Sequence, residues 1–326
     1  MIAGKAHDHD GHHLRHLHRK PVRGRFAPSP TGVLHFGSLL AALGSFLDIR
    51  QKGGEWWLRI EDLDPPRTVP GAIDHILQTL EIYGLHWDGQ VVYQSQRHPL
   101  YRAALEQLRQ QDIIYPCSCS RREIAQEAAM GAAGPIYPGY CRNGVRHTQR
   151  PTAIRVRVAD RNIQFHDAIQ GHYYQNLSTA TGDFVLRRAD GLFAYQLAVV
   201  VDDAEQNITD IMRGCDLLAS TPKQIYLQTL LGFPIPNHAH LPVAVNQDGQ
   251  KLSKQTGACP LDRRQPGFTL VSALRALGQN PPPDLASEAV PVILGWAVNH
   301  WSLAHVPRSL KDNRSHIQGN ESTGTD

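Results

Sequence analysis

The chain has 326 residues, a net charge of +3 and 41% hydrophobic side chains. That length and composition allow a substantial core and about two domains, while the charge is compatible with a nucleic-acid partner but too weak to specify one. No apolar run approaches the ~18 residues of a membrane span, and the first residues lack the apolar core of a secretory signal. The reading is a cytoplasmic protein with no membrane partner.

Residues 1–22 place His7, His9, His12, His13, His16 and His18 among polar and basic residues without hydrophobic periodicity. They read as a disordered tail, with weak transition-metal capture as the sharper alternative. GRFAPS then reads as a short strand running into the loop APSPTGVLHFGS (27–38), and SLLAALGSFLDIRQ from Ser38 as a buried helix, apolar most of the way round. EWWLRIED (55–62) follows as a strand. Pro70 opens a helix in which Ile73, Ile76, Leu77, Leu80 and Tyr83 keep helical spacing, and Gly84 closes it. A second such helix carries Tyr101, Ala104, Leu105 and Leu108. Strand, helix, strand, helix is the rhythm of a parallel α/β sheet.

The rhythm breaks between about 116 and 182, where Cys, Gly and Pro accumulate and Ala153–Val158 alternates as a half-exposed strand. An inserted domain is expected there. The apolar run Ala194–Val201 resumes the core, and periodicity leaves strand or helix open. ITDIMRG (208–214) reads as a strand, and Thr221 and Pro222 cap a helix through Leu231. After about 266 the chain is Pro-rich with short helical pieces, and from Arg308 it turns polar and is expected to fray.

A strand entering a tight loop before a helix makes an anion site, because the first helical N–H groups and the positive dipole end face the loop. Gly32 and Gly37 let the backbone approach a ligand, Pro28 and Pro30 limit the loop's freedom, and His35 can donate to a phosphate oxygen as charge builds. A structural turn with an incidental histidine fits this loop as well. KLSKQ (251–255) follows the turn residues Asn246–Gly249, and its two lysines around a serine suit a polyphosphate. A solvated basic loop is the plain alternative.

Of five cysteines, Cys117, Cys119 and Cys141 crowd together, while Cys215 and Cys259 stand apart. An odd, clustered set fits metal ligation better than a disulfide framework. Tetrahedral zinc takes four ligands, so three thiolates are one short. Core packing accounts for Cys215 and Cys259.

P-S-P-T-G-x-L-H-x-G-S near the start and K-L-S-K late in the chain together resemble class I aminoacyl-tRNA synthetases. RIEDLDPPR (59–67), VVVDD (199–203) and IMRGCDLLASTPKQ (211–224) lie between them, and the set resembles the glutamyl-tRNA synthetase branch over roughly residues 23–260. Two departures stand out. Ser38 replaces a histidine often found at the end of the first signature, and the chain ends about 70 residues after KLSKQ, where a glutamyl-tRNA synthetase continues into a helical anticodon-binding region. With CSC and YPGYC in the insertion, the chain is similar to the glutamyl-Q tRNA(Asp) synthetase family. That family activates glutamate with ATP and esterifies it to queuosine in the anticodon of tRNA(Asp).

The resemblance implies an α/β fold, with a Rossmann-like parallel-sheet catalytic domain, an inserted zinc-bearing α+β subdomain and a short C-terminal helical stem-contact region. The division expected is a tail (1–22), the catalytic domain's first half (23–115), the zinc and acceptor-binding insertion (116–182), the second half (183–235), the stem-contact region with KLSKQ (236–307) and a disordered tail (308–326). It implies a glutamate site of Arg25, Phe26, Ala27, Pro28, Ser29, Glu61, Tyr195 and Arg213. Arg25 would grip a carboxylate with its planar fork and Glu61 would meet the ammonium. ATP, accompanied by Mg2+, would meet His35, Gly37, Ser38, Lys251, Ser253 and Lys254, with His35 and Lys254 catalytic. One structural zinc would be held outside the catalytic pocket by Cys117, Cys119, Cys141 and, from the family's Y-x-x-x-C motif, Tyr137. Holding a neighbouring site residue in place, or capping a helix, explains Asp62, Asp64, Asp202 and Asp203 as well as direct contact with substrate does. The partners implied are L-glutamate, ATP and tRNA(Asp) carrying queuosine, bound by a monomer, with Arg155, Arg157 and the Lys251 loop along the tRNA phosphates. Two alternatives stay open: a shortened glutamyl-tRNA synthetase charging the 3′ end of tRNA(Glu), and a non-catalytic tRNA- or metal-binding protein.

Overall fold

The computed structural model describes residues 21–131, 134–242 and 260–309. The first half runs β1 (Arg23–Phe26), α1 (Phe36–Gln51), β2 (Glu55–Ile60), α2 (Ala72–Ile82), β3 (Val92–Tyr93), α3 (His98–Gln110) and β4 (Ile114–Cys117). Gly84, at φ 68°, closes α2 as its position predicts, because a left-handed residue just past a helix favours glycine. Next come α4 (Arg121–Glu127), β5 (Met130–Gly131), β6 (Gly134–Pro135), β7 (Ala153–Val156), β8 (Asn162–Asp167), β9 (Gly171–Asn176), α5 (Leu177–Ala180) and β10 (Val185–Arg187). The chain then returns through α6 (Tyr195–Glu205), β11 (Asp210–Gly214), α7 (Thr221–Leu231), β12 (Asn237–Leu241), α8 (Pro266–Ala276) and α9 (Val290–His300).

The central sheet has the order β3-β2-β1-β11-β12-β8-β9, parallel except for the β8–β9 hairpin at its edge. Strand order runs outward in opposite directions from β1 and β11. A crevice therefore opens between their C-terminal ends, the usual ligand site of an open α/β sheet. One apolar cluster joins α1, α2, α8 and α9 to the sheet, and a second joins α3, α6 and α7. The α1 helix is buried from Leu39 to Ile49 on nearly every side because it lies between β1 and β11 and the pair α8 and α9. Its all-round apolar character follows from that sandwiching.

Three features differ from the expected division. Strands β10, β7 and β4 form one antiparallel sheet, so hydrogen bonds cross both the 115/116 and 182/183 boundaries. The β8–β9 hairpin, placed by sequence in the insertion, extends the central sheet instead. The described residues of 236–307 supply β12 to that sheet and pack Leu270, Ile293 and Ala297 into the same cluster as Leu43, so they do not form a separate body. The ambiguous run Ala194–Val201 is helical from Tyr195 on. Among the described residues, no helix is long and apolar enough to cross a membrane.

Candidate active site

The loop after β1 is ordered by its own chemistry. Gly32 sits at φ 138°, a region that favours glycine. The amide of Glu61 donates to Pro28 O at 3.0 Å, tying this loop to the end of β2. His35 is the N-cap of α1, and its Nδ1 accepts the Ser38 amide at 3.3 Å. One N–H that the anion-site reading assigned to phosphate is thus taken by the imidazole. Because Nδ1 accepts, the ring proton lies on Nε2, which is therefore the donor. Gly37 permits this arrangement, since a Cβ there would stand 3.2 Å from the His35 ring.

Arg25 projects from β1, and its Nε and Nη2 donate to the two oxygens of Asp203 at 3.0 and 3.3 Å. Two of its five N–H donors are thereby engaged, which leaves Nη1 for the substrate carboxylate that the resemblance assigns to it. Arg59, fully buried, lies 2.9 Å from Asp203 Oδ1 and 3.5 Å from Glu61 Oε1. Glu61 lines the crevice, and its Oε1 is buried without a hydrogen-bond partner. Burial, only partly offset by Arg59 and Arg25, pushes its carboxyl up to about 7.

Arg213, on β11, is 5% exposed. It donates Nε to His240 Nε2 at 3.0 Å, Nη1 to Tyr195 Oη at 3.2 Å, and Nη2 to Thr221 Oγ1 and Gln224 Oε1 at 2.9 and 2.8 Å. All four acceptors are neutral groups, and no carboxylate lies within ion-pair distance of Arg213 among the described residues. Burial lowers its pKa from the ordinary arginine value. A buried cation so placed is stabilised by an anionic ligand.

Arg25, Glu61 and Arg213 line one cleft of about 1170 Å³, together with Phe26, Ala27, Pro28, Ser29, His35, Gly37, Ser38 and Tyr195. Phe26 also stacks on Trp56 at 6.2 Å. The less certain acids are all engaged by protein. Asp62 accepts from Ser95 N and Oγ at 2.8 and 2.6 Å, and Asp64 from Arg67 and Arg188 at 2.7 and 3.3 Å. Asp202 accepts from Gln94, Arg97 and Tyr101 at 2.7, 2.6 and 2.8 Å. Asp203 holds Arg25 and Arg59.

At the far wall, the sulfurs of Cys117, Cys119 and Cys141 lie within 4.8 Å of one another. Tyr137 Oη is 3.2 Å from Cys117 Sγ and 3.7 Å from Cys119 Sγ, and Cys119 and Cys141 Sγ are 3.6 Å apart. Zinc–thiolate bonds of ~2.3 Å in a tetrahedron set sulfurs ~3.8 Å apart, so the four groups fit that ion. Burial raises the Cys119 thiol to about 11. Burial acts the same way on Cys141, but the amides of Arg146 and Ser118 outweigh it and bring that thiol down to about 6. Cys119 lines the cleft while Cys117, Tyr137 and Cys141 do not, so the cluster adjoins the cavity.

The family described as tRNA synthetases class I (E and Q), catalytic domain, matches residues 21–281. The chain is 55% identical to the glutamyl-Q tRNA(Asp) synthetase of Aromatoleum aromaticum, over 89% of its own length and 92% of that protein's. It is 53% identical to that of Ectopseudomonas mendocina, over 88% and 95%. The chain belongs to the glutamyl-Q tRNA(Asp) synthetase family of class I synthetases. Among solved structures it is similar to a glutamate tRNA ligase from Elizabethkingia meningosepticum in complex with its amino acid. The TM-score is 0.74 at 28% identity, covering 89% of this chain and 66% of that one. A glutamate-tRNA synthetase from Elizabethkingia anophelis gives 0.75 at 27%, covering 91% and 69%.

The fold thus gathers Arg25 to Ser29, His35, Gly37, Ser38, Glu61, Tyr195 and Arg213 about one crevice, as the family resemblance implies. Lys251, Ser253 and Lys254, like Cys259, lie outside the described residues. Two arginines expected along tRNA phosphates are engaged elsewhere. Arg155 lies 3.9 Å over the Tyr137 ring and donates to Asp183 O, and Arg157 donates to Arg142 O and covers Tyr115. Sequence reading missed Arg59, His240, Asp167, Thr221 and Gln224. The H-x-H of β12 was the available signal, since residues two apart on a strand share a face.

Proposed function

We propose that the chain activates L-glutamate with ATP to glutamyl adenylate, releasing pyrophosphate, and transfers the glutamate to queuosine in the anticodon of tRNA(Asp). The observation that carries the first half is Arg213, a buried cation without a carboxylate partner among the described residues, in the same cleft as the unsatisfied oxygen of Glu61. A zwitterion with a second carboxylate complements that pair. Arg213 and Tyr195 take the side-chain carboxylate and Glu61 the ammonium, while Arg25, whose pair with Asp203 uses two of its five N–H donors, adds a further contact for a substrate carboxylate.

The α-carboxylate then attacks the α-phosphate of ATP in line, and the work of the protein is positioning and charge stabilisation. His35 Nε2–H and the start of α1 meet the phosphates, and Lys254 meets the developing negative charge. Mg2+ accompanying the nucleotide would supply neutralisation of phosphate charge. Cys117, Cys119, Cys141 and Tyr137 would hold zinc as a structural ion that braces the wall of the cleft. The names of the relatives support the second half. The reading includes a cytoplasmic monomer. Glutamate-dependent ATP–pyrophosphate exchange tests activation. An exchange signal with glutamate and none with glutamine or aspartate is expected, and absence of glutamate-dependent exchange overturns the reading.

A further inference from the structure

Arg213 and His240 are register partners on the parallel strands β11 and β12, and His240 reaches on toward Asp167 at the end of β8. Three neighbouring strands thus set an arginine, a histidine and an aspartate in line beneath the floor of the cleft. The His240 and Asp167 side chains are both 0% exposed. His240 Nδ1 lies 2.5 Å from Asp167 Oδ2. On the other side of the ring, Nε2 stands 3.0 Å from Arg213 Nε and 3.2 Å from Thr221 Oγ1. Arg213 Nε carries a hydrogen and has no lone pair to offer, so Nε2 must be the acceptor. The proton therefore sits on Nδ1, where the carboxylate receives it.

We propose that Asp167 and His240 are positioning residues for Arg213: the carboxylate holds the imidazole in its Nδ1–H form, and the bare Nε2 then fixes the Arg213 guanidinium toward the substrate carboxylate. The inference rests on the glutamate-site reading above.

The surroundings agree. Burial lowers the His240 pKa, helped by the nearby cations Arg213 and Arg25 and resisted by Asp167. His238, stacked parallel at 6.1 Å, is also held neutral by burial, with its value down to about 3. A neutral acceptor leaves the charge of Arg213 uncancelled for the ligand, which an acidic residue in the place of His240 would not do. Asp167 is anchored independently of the histidine ring, since its Oδ1 accepts the amides of Ile169, Gln170 and His240 at 3.1, 2.8 and 3.1 Å.

Asp167→Asn is the decisive variant. It can keep Oδ1 on those amides but presents an NH2 to His240 Nδ1, which drives the ring proton to Nε2 and sets it against the Arg213 N–H. In glutamate-dependent exchange by the full chain, Asp167→Asn should raise the glutamate KM about tenfold or more, with kcat and the ATP KM changed less. His240→Gln, which retains an acceptor facing Arg213, should stay closer to wild type than His240→Leu. In the His240→Gln background, Asp167→Asn should add little. A wild-type glutamate KM in Asp167→Asn, or the same loss with and without the histidine, overturns the proposal. Imidazole 15N spectra of the full chain read the tautomer without any activity. Nδ1–H in the wild type and Nε2–H in Asp167→Asn are expected, and Nε2–H or imidazolium in the wild type overturns it. If the wild type shows the expected tautomer but no exchange, the glutamate reading fails and the positioning role falls with it.

Discussion

The guanidinium of Arg25 faces the carboxylate of Asp203 across β1 and α6, with Nε 3.0 Å from Oδ1 and Nη2 3.3 Å from Oδ2. Both side chains are 3% exposed, so the pair is a buried one, and Asp203 also holds Arg59. Removing one member leaves uncompensated charge, which costs about 3–5 kcal/mol. Asp203→Ala should lose stability on that scale in chemical denaturation and lose glutamate activation with it. Burial alone would raise the Asp203 carboxyl, but Arg25 and Arg59 outweigh it and hold the carboxyl below its ordinary value. Its contribution is therefore present above the unfolded pKa of ~3.9 and is lost as pH falls through the folded value. A wild-type stability in Asp203→Ala contradicts this account of the pair.

Glu61 gives the opposite sign. Burial lifts its carboxyl from 4.5 to about 7. Ionising it therefore lowers stability as pH rises from the first value to the second, whereas binding an ammonium requires the ionised form. The glutamate KM should rise as pH falls below about 7, approaching tenfold per unit. Glu61→Gln should flatten that limb and weaken glutamate binding throughout. A KM independent of pH between 5 and 8, a window of roughly the width such a single titration spans, contradicts the role given to Glu61.

The four-group cluster predicts one zinc per chain. Metal analysis should find it in protein lacking residues 1–22, whose histidines can carry metal of their own. Cys117→Ser should lose the ion and lower the melting temperature, because a structural zinc contributes folding free energy. A full metal complement in that variant rules out the assignment.

Lys254 lies outside the described residues, and its role rests on the K-L-S-K motif. Lys254→Ala should slow pyrophosphate exchange by ~10²-fold or more while changing the glutamate KM little, as loss of a transition-state contact does. An exchange rate within a few-fold of wild type removes that role.

What the sequence made legible was local or motif-borne. The helical spacing after Pro70, the glycine that closes it and the strand–loop–helix at residues 23–51 follow from short-range rules and stand in the structure. The crowding of Cys117, Cys119, Tyr137 and Cys141 was likewise visible. The division into domains was less legible, because a composition shift at 116 does not reveal that β4, β7 and β10 pair across it. The pairing of Arg25 with Asp203 was hidden for a related reason. Asp203 is 178 residues away, and only the fold shows that two of the Arg25 N–H groups are engaged. Arg213 looked like one motif arginine among several. Its distinction, burial among neutral acceptors from α6, α7 and β12, is a property of the assembled site.

The central claim is that glutamate ends on a modified base in the anticodon loop, and the most direct measurement is the position of the label. Labelled glutamate and ATP are incubated with the full chain and tRNA(Asp), with and without queuosine, and with tRNA(Glu), and each RNA is then cut and its fragments counted. The account predicts label only in tRNA(Asp) that carries queuosine, on the fragment containing the anticodon. Label on a 3′-terminal adenosine of any of the three RNAs contradicts it.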